Sequence, residues 1–152
     1  MTTSNAIVLP IDFSTPSLSA LPWARRISEA LDAAIHCVYV VEEPQAYSML
    51  DMPVPVQIPT IQEIAEIAEE RISTFAIDQL QGMERTALTK VLIGKPAEKI
   101  VTYADEVAAM MVVMATKGHS GLEHILLGST TEAVLRHANC PVLSIPISES
   151  SN

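Results

Sequence analysis

Five short apolar runs, rich in β-branched residues, punctuate this chain, and the segments between most of them repeat apolar residues every three or four positions. A short apolar run with no polar alternation fits a strand buried on both faces, and a three-to-four repeat fits a helix with one buried side. Strands and helices that alternate in this way predict a layered α/β domain: a parallel sheet covered on both faces, with right-handed crossovers. The predicted strands cover residues 6–11, 35–41, 86–93, 110–115 and 142–147. Hydrophobic residues make up 49% of the 152 and charged residues 18%, as a sheet with two buried faces requires. Residues 1–152 are read as one domain, because a chain of this length supports a single core.

Helix signals fall where that alternation needs them. Ser14 or Thr15 can cap a helix with Pro16 in its first turn, and Pro22 further on predicts a kink or a delayed start. Thr60 and Glu63 have capping-box spacing ahead of a long amphipathic stretch that ends near Gly82. Gly94-Lys95-Pro96 opens another helix, and a last one is expected from Thr130 to about Ala138. Residues 44–59 hold several prolines and read as a surface loop that laps over a pocket.

Charge and composition exclude several functions. The net charge is −9 with no stripe of Lys and Arg, which argues against nucleic-acid binding. No run approaches the roughly eighteen apolar residues of a membrane helix, and the first residues lack a secretory pattern, so a cytoplasmic protein is expected. Cys37 and Cys140 lie in or beside apolar runs without metal or redox spacing and read as buried thiols. His36, His137 and the methionines at 110, 111 and 114 read as packing residues. No phosphate loop ending in Gly-Lys-Ser/Thr, nucleophile elbow or His-Glu-x-x-His is present.

In open α/β sheets the ligand crevice lies beyond the carboxyl ends of the strands. With strand order 3-2-1-4-5, the end of the first strand (Pro10-Ile11-Asp12-Phe13-Ser14) and the end of the fourth (Ala115 onward) flank one crevice. Gly118, Gly121 and Gly128 let the following loop approach a ligand, and Gly128-Ser129 opens a helix whose first N–H groups have no intrahelical partner. This is a phosphate cradle in physical terms. Ser129 with Glu132 also fits a capping box, so Ser129 can be read as a cap alone. Lys117, His119 and His124 can offset phosphate charge or form a solvated basic loop. Asp12 can accept from ribose or adenine, meet a divalent ion, or serve as a first-turn acid.

Gly118, nine residues and then Gly128-Ser129 resemble the second half of the nucleotide motif of the universal stress protein family. Pro10 to Ser14, Val38 to Glu42, Gly94 to Val101 and Gly128 to Leu143 extend the resemblance over nearly the whole chain. It implies an adenine nucleotide alpha hydrolase-like, Rossmann-like fold and a bound ATP, or ADP or AMP, with magnesium as a nucleotide-borne ion. Asp12, beside Pro10, and the backbone of Val40 would hold the adenosine end. Gly118, Gly128, Ser129 and the N–H of Thr130 would hold the phosphates, with His119 and Gly121 in the same loop. The family's first glycine is Ala115 here, which adds a methyl where the chain passes the nucleotide. The resemblance also implies a homodimer through residues 142–147 and nucleotide-dependent contacts with a partner protein in stress response or regulation. The alternatives are a member without nucleotide that acts through protein contacts, and a slow ATPase or self-phosphorylating protein with Ser129 or Ser120 as acceptor. A phospho-receiver is disfavoured, since Asp12 has no adjacent acidic partner.

Overall fold

The computed structural model describes residues 5–43, 59–82, 87–117 and 127–147. The chain runs β1 (Ala6–Pro10), α1 (Thr15–Leu18), α2 (Leu21–Leu31), β2 (Ala34–Val41), α3 (Ile61–Gln79), β3 (Leu88–Ile93), α4 (Pro96–Glu106), β4 (Met111–Ala115), α5 (Ser129–His137) and β5 (Val142–Ile145). All four strand pairings are parallel, in the order β3-β2-β1-β4-β5. The expected five-stranded sheet and its order are therefore observed.

Side chains on a strand point alternately to opposite faces, and the two faces are covered by different helices. Ile7 and Leu9 of β1 pack with Ile35, Cys37 and Val113 against Leu21 and Ala24 of α2 and Ile72 of α3. Val8 packs with Val38, Val112 and Met114 against Ile100 and Ala104 of α4 and Val134 of α5. All five residues of β1 are buried, which explains its uninterrupted apolar run.

Local signals resolve as physics requires. Pro22 falls in the first turn of α2, where its missing N–H breaks no bond, so of the kink or delayed start expected there it is the delayed start that is observed, as a break between two helices. The Thr60–Glu63 capping box is formed: the Thr60 N–H donates to Glu63 Oε2 at 2.7 Å and the Glu63 N–H donates to Thr60 Oγ1 at 3.2 Å. Gly94 adopts φ 138°, a value that favours glycine, and a Cβ there would lie 2.7 Å from Lys99 Cε. The edge strand β5 ends at Ile145, so Pro146 follows it rather than sitting inside it. The loop expected at 44–59 lies outside the described residues except for Pro59, as does Thr86 before β3.

His36 is buried, and its Nδ1 lies 3.0 Å from the Tyr103 hydroxyl of α4. Burial holds its pKa below the ordinary histidine value. Burial also pushes the Cys37 thiol up to about 12, an inert group, whereas Cys140 is only half-buried. No helix among the described residues is long and apolar enough to cross a membrane.

Candidate functional site

A cavity of about 750 Å³ opens beyond the carboxyl ends of the strands, where order 3-2-1-4-5 reverses direction at β1 and β4. Of the residues that the sequence points to, Pro10, Asp12, Val40, Ala115, Gly128, Ser129 and Thr130 all line it, and so does Lys117. Gly118, His119, Gly121, Ser120 and His124 lie outside the described residues.

The floor is the turn that leaves β1. Asp12 follows the strand, and its Oδ1 accepts from the Ser14 N–H at 2.9 Å and from the Ser14 hydroxyl. Its own N–H donates to Ser17 Oγ at 3.2 Å. Ser14 in turn caps α1, its Oγ accepting from the Ser17 N–H at 3.2 Å. Asp12 therefore stands outside the helix that it precedes, and α1 has no acid in its first turn. The first-turn reading of this residue is corrected: Ser14 bonds orient its carboxylate, and no position inside the helix does so.

One wall is the start of α5. Gly128 is the N-cap residue and Ser129 the first helical residue, one position earlier than the capping-box pattern suggests. No side chain caps the helix, and the Glu132 carboxylate pairs instead with Arg136 at 2.8 Å. The reading of Ser129 as a cap is thus overturned, because glycine occupies the cap and has no side-chain oxygen to offer. The N–H groups of Ser129, Thr130 and Thr131 are left without intrahelical partners beside the positive end of the helix dipole. Three bonds hold this helix start in place. The Gly128 N–H donates to Thr116 O at 2.7 Å, the buried Thr131 Oγ1 donates to Ala115 O at 2.9 Å, and the Thr116 N–H donates to Ile145 O at 2.9 Å. Such an amide cluster is an anion site in form.

A second wall holds residues to which the sequence assigns no individual role. Phe13 has φ 61°, a left-handed conformation that is an outlier for a bulky residue. Its ring packs 5.1 Å from Tyr39 and 6.0 Å from Phe75, and the Arg71 guanidinium carbon lies 4.2 Å from the ring centroid. Phe13, Tyr39, Arg71 and Glu42 all line the cavity. Glu42 follows β2 as Asp12 follows β1, so the strand-end rule that selects one also selects the other. Arg71 lies mid-helix in α3, and no signal in its neighbours points to the cavity.

The description "Universal stress protein family" belongs to the family model that matches residues 4–146. A universal stress protein of Methanocaldococcus jannaschii is 33% identical over 139 residues, covering 91% of this chain and 80% of its own. Among solved structures, universal stress protein UspA from Lactobacillus plantarum superposes with a TM-score of 0.75 at 23% identity, covering 95% of this chain and 99% of its own. A universal stress protein in complex with cAMP gives 0.68 at 23% identity, covering 97% and 100%. At these identities the likeness to the solved structures is one of fold.

Proposed function

The chain belongs to the universal stress protein family, and we propose that it binds an adenine nucleotide, ATP foremost, in the cavity beyond β1 and β4. One observation carries this reading: the Asp12 turn and the uncapped N-terminus of α5 line the same crevice. The complex of a relative with cAMP supports the same ligand class.

In this reading the N–H groups at Ser129 and Thr130 and the Ser129 hydroxyl hold phosphate oxygens, and Lys117 offsets their charge. Asp12, oriented by Ser14, and the Val40 backbone take the adenosine end, and Asp12 is also suited to a magnesium ion carried by the nucleotide. Binding of this kind needs no chemical step. The ligand acts by changing the surface that the protein presents to a partner or to its own copy in a stress or regulatory response. The copy is a homodimer paired along the β5 edge, where Leu143 is exposed and the unpaired strand side needs cover. Light scattering at micromolar protein reads out the dimer, and a monomer there rules it out.

The test of the ligand is to heat-denature the purified protein, chromatograph what is released, and titrate the emptied protein with ATP by calorimetry. An adenine nucleotide in the supernatant or saturable ATP binding is expected. An empty pocket with no ATP heat would overturn the assignment. A second reading, a member that acts through protein contacts alone, is favoured by Ala115, whose methyl stands among the lining residues in place of the family's glycine. Under that reading Ala115→Gly restores ATP binding that the native chain lacks.

A further inference from the structure

We propose that Arg71 is a specificity-determining residue of this cavity, one that reads hydrogen-bond acceptors on the nucleoside end of the ligand. This rests on the nucleotide reading above and adds a residue to it.

The Arg71 guanidinium carbon lies over the Phe13 ring, 4.2 Å from its centroid. A guanidinium carries five N–H donors and no acceptor, so it reads acceptor atoms. Among the described residues no carboxylate lies within ion-pair distance of Arg71 and no oxygen accepts from it. Arg25 makes the contrast: it is held by the carbonyls of Gln79 and Gln81 at 2.7 and 3.5 Å. Arg71 is instead a cation braced on a ring, in the wall of a cavity, with its donors uncommitted among the described residues.

Its position decides what those donors meet. Phe13, Tyr39 and Phe75 pack with the core layer under α2 and α3, whereas Val40, Ala97, Ile100 and Met114 pack with the layer under α4 and α5. The reading above gives the adenosine end to Asp12 and the Val40 backbone, and Phe13 and Tyr39, the pair that Arg71 rests on, are their neighbours in the chain. The flat base or ribose of that end offers acceptor atoms to the guanidinium fork and a ring face to the aromatic side chains. Phe13, with φ 61°, carries the ring that supports the guanidinium.

Calorimetric titration of the emptied native protein, Arg71→Met and Arg71→Lys with adenosine, 2′-deoxyadenosine, AMP and ATP tests the assignment. Arg71→Met should weaken adenosine, AMP and ATP by the same factor, about tenfold, as expected for loss of a charge-assisted hydrogen bond. Arg71→Lys should recover only part of this, because an ammonium neither stacks nor forks. A smaller loss for 2′-deoxyadenosine than for adenosine assigns the acceptor to the ribose 2′ oxygen, and equal losses assign it to the base or to the rest of the sugar; both uphold the proposal. Weakened ATP binding with unchanged adenosine binding would make Arg71 a phosphate ligand and overturn it, as would unchanged affinities in both variants. Should the native protein bind none of the four, the nucleotide reading itself falls and this assignment falls with it. A merely structural role would lower the melting temperature without the uniform loss across ligands of different charge.

Discussion

The two walls of the cavity are made of different material. At residues 128–131 the ligand would meet peptide groups on a helix start that is fastened by backbone carbonyls. At Phe13, Tyr39 and Arg71 it would meet side chains braced on one another. Peptide groups present the same donors whatever the sequence, whereas a wall of side chains changes with each substitution. The first wall can therefore serve any phosphate, and the second is where one member of a family can differ from another.

That contrast can be broken by substitution. The largest effect is expected at Thr131. Thr131→Val removes the buried hydroxyl and leaves the Ala115 carbonyl unpaired, costing about 1–3 kcal/mol. Chemical denaturation reads the loss, and an unchanged midpoint would show that the bond does not fasten the helix. On the side-chain wall, Phe13→Ala and Phe13→Gly both lose the aromatic contacts. Glycine is free of the left-handed penalty, so it should be the more stable of the two by about 1 kcal/mol. Equal midpoints would mean that the residue relaxes out of φ 61° once the ring is gone. The smallest effect belongs to Ser129→Ala. Since Gly128 is the cap, stability should change by no more than about 0.5 kcal/mol while ATP affinity falls severalfold. A loss near 1 kcal/mol would restore the capping role.

The same contrast explains which parts of the site are legible in the amino-acid sequence. Pro10, Asp12 and Ala115 follow from a topological rule, because strand ends are visible in the sequence and strand order 3-2-1-4-5 brings two of them together, whereas Val40 comes only with the family resemblance. The α5 start is legible to within one residue; the Ser129–Glu132 spacing imitates a capping box that Gly128 already pre-empts. Arg71 is not legible. The three-to-four repeat tells which side of α3 is buried, but not which of its turns comes level with Phe13, and that depends on how far the helix slides along the sheet. Phe13 is equally hidden, since nothing in the sequence signals a left-handed phenylalanine.

The bonds around Thr116 carry one more implication. Its N–H holds the last residue of the edge strand and its carbonyl holds the first amide of the α5 turn. A single peptide plane on either side of one residue thus links the rim of the sheet to the mouth of the cavity. A shift of Ile145 would reach Gly128 through two consecutive hydrogen bonds, with no side chain in between. Occupancy of the pocket would be felt at the rim along the same short chain.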